Sequence, residues 1–275
     1  MSTINCKGTL INLSTPKVMG IVNVTPDSFF DGGKLTNSNE ILFQVEKMLV
    51  DGATFIDLGG YSSKPGAEFV SETEELNRVI PVVKLLVEKF PDILLSIDTF
   101  RSEVAKQAIE NGAALINDIS AGLLDENMLE TVAKLQVPYI MMHMKGTPKT
   151  MQSLANYEDL LKEMNFYFSE RIAKARCFGL NDIIIDPGFG FAKTLEHNYE
   201  LLQNLELLQF HDLRILAGIS RKSMIYKALE TAPEAALNGT TFLHAFCLQK
   251  GANILRVHDV KEAVECVKLM RQLDN

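Results

Sequence analysis

From residue 17 onward the chain repeats one plan: a short apolar run, a polar residue at its end, a loop, then a stretch with apolar residues at helical spacing. The runs predict strands at 17–24, 54–58, 93–98, 115–119, 138–143, 183–186, 215–219 and 252–257. Between them the spacing predicts helices at 39–51, 71–90, 101–110, 125–135, 157–178 and 198–208, one opening at 220–223, and one at 260–273. The first of these carries Ile41, Leu42, Val45, Met48 and Leu49 on one face. Ser71 with Glu74 three residues on reads as a capping box, Asn111-Gly112 as a helix stop, and Pro81 as a kink in the second helix.

Strands that are apolar throughout, rather than alternating, are covered on both faces, as in parallel sheets flanked by helices. Eight strand-plus-helix units without a linker or low-complexity segment fit a closed (β/α)8 TIM barrel, with residues 1–275 as a single domain. Residues 4–15 alternate weakly and end at Pro16, which predicts a short N-terminal hairpin or plug. A doubly wound open sheet is the alternative, weakened because no G-x-G-x-x-G follows the first strand.

Charge then narrows the partners. The 35 acidic residues exceed the 27 basic ones and no Lys/Arg run stands out, which argues against nucleic acid or an anionic membrane surface. The four cysteines are widely spaced, no apolar stretch is long enough to span a bilayer, and the N-terminus has no leader pattern, so a soluble cytoplasmic protein is expected.

The candidate chemistry lies at the strand ends, where barrel enzymes keep their sites. There the sequence places Asn23, Asp57, Asp98, Asn117, Asp118, His143, Asp186, Lys222, Arg256 and His258. Any one aspartate after a strand is more often a turn or helix cap than a catalyst; several together shift the balance. Asp118 is the structural one on this reading, because it points away from Asn117. Arg256 and His258 are two apart, share a face and suit a phosphate or pyrophosphate, unless Arg256 simply pairs with a carboxylate inside the barrel. The helix start Ser220-Arg221-Lys222-Ser223 suits an anion, or is an ordinary cap by Ser220. Asp98, Asn117 and Asp186 can receive a guanidine-like edge while Lys222 donates to a carbonyl, the pattern of a pterin or guanine ring. A metal site of Asp57, Asp98 and Asp186 competes with it.

Taken in order, several segments together carry a resemblance. They are MGIVNVTPDSF from Met19, GGYSSKPGA from Gly59, Ser96-Ile97-Asp98-Thr99, Asn117-Asp118-Ile119, Met142-His143-Met144, DPGFGF from Asp186, Ser220-Arg221-Lys222-Ser223 and Arg256-Val257-His258. With them the chain, from about 17 to 270, resembles the dihydropteroate synthases, pterin-binding barrels of folate biosynthesis. The resemblance implies a transferase that joins p-aminobenzoate to 6-hydroxymethyl-7,8-dihydropterin diphosphate, releasing pyrophosphate, and that sulfonamides inhibit. By similarity Asp98, Asn117, Asp186 and Lys222 hold the pterin, with Met142 and Phe191 near its faces. Asn23, Ser63, Arg256 and His258 hold the diphosphate, with Mg2+ on Asn23. Phe29, Pro65, Phe191 and Ser223 form the p-aminobenzoate pocket. A homodimer through barrel helices is implied as well.

An electron-rich pterin stabilises a cation at the departing methylene, so the resemblance calls for charge stabilisation rather than a covalent nucleophile. The two Gly-rich loops at 25–33 and 59–67 are long enough to close over such a site and exclude water. Two residues depart from the family pattern: Lys64 stands where an arginine is usual and loses the bidentate fork, and Ala192 stands where glycine is expected. A methyltetrahydrofolate methyltransferase, which needs no diphosphate site, and a non-catalytic pterin-binding module are the rival functions.

Overall fold

The structure is a computed structural model that describes residues 2–24, 34–61 and 70–273. An antiparallel hairpin, β1 (Thr3–Cys6) and β2 (Thr9–Asn12), precedes the barrel. The barrel strands are β3 (Lys17–Asn23), β4 (Phe55–Gly59), β5 (Leu95–Asp98), β6 (Leu115–Asp118), β7 (Tyr139–Met142), β8 (Ile183–Asp186), β9 (Arg214–Ala217) and β10 (Ile254–Val257). They run parallel in sequence order and close where β10 pairs with β3, Arg256 opposite Met19. The eight-unit reading therefore holds, and the open-sheet alternative does not.

The period of two along each strand divides the side chains between two cores. Val18, Val22, Ile56, Leu58, Ile97, Ile116, Met141, Ile185, Ala217 and Val257 point outward into the layer packed by helices. Met19, Phe55, Leu94, Leu115, Ile140, Ile184, Leu216 and Ile254 point inward at the amino-terminal end of the barrel. Ile4, Cys6 and Leu13 of the hairpin segment pack into this inner layer, so the predicted plug closes the bottom of the barrel. Two residues further along six of the eight strands, the same inward positions become Asp57, Ser96, Asn117, Asp186, Gly218 and Arg256, while β3 and β7 continue with Ile21 and Met142. The change from apolar to polar on one face marks the mouth.

The helices are α1 (Lys34–Val50), α2 (Glu72–Lys89), α3 (Ser102–Glu110), α4 (Met128–Leu135), α5 (Leu160–Cys177), α6 (Leu195–Gln203), α7 (Ser223–Tyr226), α8 (Leu237–Gln249) and α9 (Val260–Leu273). α1 starts ahead of its expected position because residues 34–40 hold one apolar residue, Leu35, too few to show a helical period. α2 runs unbroken through Pro81. Ser71 caps it by accepting the Glu74 N–H, but the capping box is half made, since the Glu74 carboxylate pairs with Arg78 instead. In the seventh unit the helix opening at 220–223 is one short turn, and the crossover is α8, which the spacing did not predict. α8 has no clean apolar stripe: Leu243 and Cys247 are buried while Phe242 on another side is exposed.

Candidate active site

A cavity of about 680 Å3 opens at the carboxyl ends of the barrel strands. Asn23, Asp98, Phe191, Lys222, Ser223, Arg256 and His258 line it, joined by Ile21, Gly218 and Tyr61. Strand polarity puts them there, because each is an inward position at the end of a strand or lies in the loop that follows. Asn117, Asp186 and Met142 lie deeper. Asn117 and Asp186 are nearly buried in the inward polar layer, and Met142 packs with Ile119, Met144, Met151 and Ala192. Phe29, Ser63, Lys64 and Pro65 lie outside the described residues, as do most of the two loops expected to close over the site.

One ion-pair network organises the floor. Arg256 donates from Nε to Asp57 at 2.5 Å and from Nη2 to Asp98 at 2.7 Å, while Asn117 donates to the same Asp57 oxygen at 3.1 Å. Pairing of Arg256 inside the barrel is thus realised, and it links the residues expected at the pterin with the one expected at the diphosphate. Burial alone would lower the Arg256 guanidinium; the two carboxylates outweigh it and keep it charged. Asp98 is pushed up to about 7, chiefly by burial and further by Asp57, against the pull of Arg256. With Asp57 and Asp98 committed to Arg256, the competing metal site is not assembled. Among the described residues no three His, Cys, Asp or Glu side chains converge to hold a metal ion.

The second cluster sits across the cavity. Lys222 donates to the Phe189 carbonyl and its Nζ lies 4.9 Å from the centre of the Phe191 ring. Burial lowers it to about 8, while Asp186 favours its charged form. Asp186 accepts the Gly188 N–H at 2.7 Å, and burial raises its carboxyl despite Lys222 nearby. Gly218 forms the floor between Asp186 and Arg256. A Cβ there would stand 3.8 Å from the Arg256 Cβ and 3.9 Å from the Asp186 Oδ2, so the missing side chain keeps the cavity deep.

The structure assigns other candidates to framework roles. Ser220 does not cap a helix: it accepts the His258 N–H at 3.2 Å and meets His258 Nδ1 at 3.0 Å, orienting that ring. Arg221, at φ 53°, grips Asp259 with two bonds and the Pro233 and Glu234 carbonyls with a third nitrogen, so it shapes the loop rather than receiving an anion. The α7 turn is too short to supply the dipole expected at this helix start. Asp118 is structural as expected, accepting from the Ser120 and Gly122 N–H groups and from the Ser120 and Tyr139 hydroxyls. His143 is buried away from the cavity lining beside Lys193, and burial holds it well below its usual range.

Sequence reasoning missed a buried framework beside the mouth. Arg78 donates to the Gly60 carbonyl at 3.2 Å and Arg101 to the Val70 carbonyl at 2.5 Å, while Arg101 also pairs with fully buried Glu75. These residues fix both ends of the segment that carries the second loop. The only signal available was a pair of charged residues on the otherwise apolar face of α2.

Comparison with known proteins places this geometry. Residues 19–258 match the family described as pterin binding enzyme. The chain is 44% identical over 266 residues to the dihydropteroate synthase of Escherichia coli K12, covering 96% of this chain and 94% of that protein. Its fold matches the Yersinia pestis dihydropteroate synthase solved as a sulfonamide drug complex, with TM-score 0.92, 43% identity and 99% of each chain covered. It also matches Xanthomonas albilineans dihydropteroate synthase solved with 4-aminobenzoic acid, at TM-score 0.91 and 38% identity, covering 99% of this chain and 98% of that one.

Proposed function

The chain belongs to the pterin-binding enzyme family, and from that membership and its cavity we infer that it is a dihydropteroate synthase, a transferase of folate synthesis. It condenses 6-hydroxymethyl-7,8-dihydropterin diphosphate with p-aminobenzoate, giving 7,8-dihydropteroate and pyrophosphate. The observation that carries this reading is the joining of two recognition sets in one cavity. Asp98 and Lys222 in the lining, with Asn117 and Asp186 in the buried layer beneath, offer the acceptor and donor pattern of a pterin, and Arg256, His258 and Asn23 line the same cavity for the diphosphate.

The chemistry needs no covalent nucleophile. Lys222 donates to the pterin carbonyl, Asp98 and Asp186 accept from its guanidine edge, and with the ring so held the C–O bond from the exocyclic methylene to the diphosphate breaks, leaving a cation-like methylene on the ring. Arg256 and His258 stabilise the charge that builds on the departing pyrophosphate. The amine of p-aminobenzoate, seated by Phe191 and Ser223, then attacks the methylene, forms the C–N bond and gives up one proton to water. One neutral amide oxygen on Asn23, with no group of three His, Cys, Asp or Glu side chains gathered for a metal among the described residues, fits Mg2+ brought on the diphosphate, since that ion keeps waters and substrate phosphates as most of its ligands. When bound, Mg2+ neutralises part of the pyrophosphate charge.

We further propose that the enzyme is a cytoplasmic homodimer. Among the described residues no helix is long and apolar enough to cross a membrane, and all four cysteines are unpaired, as a reducing compartment favours. Neighbouring helices α8 and α9 expose Phe242 and Leu269, each 70% accessible, which supports a self-complementary contact there. The deciding assay for the activity is pyrophosphate release from the pterin diphosphate with Mg2+. Release that requires p-aminobenzoate and is competed by a sulfonamide is expected; release indifferent to p-aminobenzoate would refute the assignment.

A further inference from the structure

Behind the cavity wall, where it forms no part of the lining, lies a lysine that the reaction as described does not use. Lys193 is only 4% exposed, yet its Nζ meets three acceptor positions: the Gly188 carbonyl at 3.1 Å, the Phe191 carbonyl at 3.1 Å and His143 Nδ1 at 3.0 Å. Burying an ammonium is costly, and an apolar side chain of similar length would fill the same space without that cost. Nor is Lys193 needed to satisfy the Gly188 carbonyl, which already accepts the Phe191 N–H at 3.0 Å. What it adds is a three-point tie between the turn at 188–191 and the end of the neighbouring strand β7.

That turn has unusual demands. Gly188 and Gly190 sit at φ 68° and 80°, and a Cβ on Gly188 would come within 2.2 Å of the His143 carbonyl oxygen, so the turn lies flush on the residue that Lys193 also holds. Gly190 donates to Asn198 Oδ1 at 2.7 Å, and the Tyr157 hydroxyl donates to the Ala192 carbonyl at 2.9 Å. On its cavity side the same turn presents the Phe189 carbonyl that receives Lys222 and the Phe191 ring beneath the Lys222 ammonium.

We propose that Lys193 is a positioning residue for the reaction: seated behind the wall and tied to His143, it fixes the 188–191 turn so that the Phe189 carbonyl and Phe191 ring aim Lys222 at the pterin. The proposal rests on the pterin-binding reading of the cavity. Its action passes through Lys222, and that makes it separable from a general packing role.

The test is a double-mutant cycle on affinity for the pterin diphosphate, measured by calorimetry with Mg2+ and without p-aminobenzoate. Lys193→Met is expected to weaken binding about tenfold in the wild-type background, the scale of a small misplacement at a site. In a Lys222→Met background the same change is expected to cost less than about twofold, because the group it aims is gone. Equal losses in both backgrounds, or no loss in the first, would overturn the proposal. If Lys193→Met does not fold, Lys193→Gln, which keeps donors but no charge, is measured in the same cycle, and the same contrast between backgrounds decides. A wild-type chain that binds no pterin diphosphate would refute the proposed function and this inference together; wild-type binding with an additive cycle would refute this inference alone.

Discussion

At the scale of single residues, the site separates groups that meet substrate from groups that hold them. On the proposed function Asp98 is ionised to accept from the pterin, and burial raises its carboxyl to about 7, so activity is expected to fall as pH drops through that value. On the same reading Lys222 is protonated to donate, and burial lowers it to about 8, so activity is expected to fall as pH rises past that value. A bell-shaped kcat/KM profile with limbs near these two positions is expected. Asp98→Asn should remove the acid limb and lower kcat by about 10²- to 10³-fold with diphosphate affinity less affected, a loss on the scale of deleting one preorganised charge partner. Intact turnover in that variant would return Asp98 to a structural role. Gly218 supplies a second residue-scale prediction. A Cβ fits at ordinary contact distance, so Gly218→Ala should bind pterin nearly as the wild type. Branching at Cβ would intrude between Asp186 and Arg256, and Gly218→Val should cost about 2 kcal/mol, or roughly 30-fold in affinity by calorimetry. The sequence made Asp98, Lys222 and Arg256 visible because polar groups end apolar runs. It hid Gly218 and Lys193, whose effects come from what stands beside them in other strands and loops.

At the scale of elements, the barrel divides its labour along its axis. The hairpin seals the amino-terminal end while the polar inward layer faces the other, so stability and chemistry can be altered separately. Leu13, fully buried among inward residues of the barrel, tests this. Leu13→Ala should destabilise by about 3 kcal/mol through lost burial and the cavity left behind. That should lower Tm by about 6–12 °C in differential scanning calorimetry while kcat/KM at low temperature stays unchanged. Leu10→Ala in the same hairpin, 70% exposed, should leave Tm near its original value. Strands and most helices were legible because each buries a regular face. α8 was not, since its apolar residues surround it, and the half-made capping box at Ser71 was misjudged because Arg78 competes for Glu74.

At the scale of the whole molecule, the exposed apolar faces of α8 and α9 bear on assembly. Phe242→Lys is expected to convert a dimer to a monomer in sedimentation velocity with the pterin site still folded; an unchanged sedimentation coefficient would place the contact elsewhere. By itself the sequence determined the eight-unit rhythm, the plug and the strand ends where chemistry gathers, because burial periodicity and strand polarity are local properties of the chain. Only the tertiary structure decided which polar groups meet. Asp57 lies far along the chain from Arg256 yet shares a short ion pair with it, and the same guanidinium also engages Asp98. Closure of the barrel at β10 and β3 brings Arg256 and His258 to the side of Asn23, and the return of the sixth loop onto β7 sets Lys193 against His143. Contacts of this kind depend on strand register and loop packing between distant segments, which no local pattern of apolar and polar residues records.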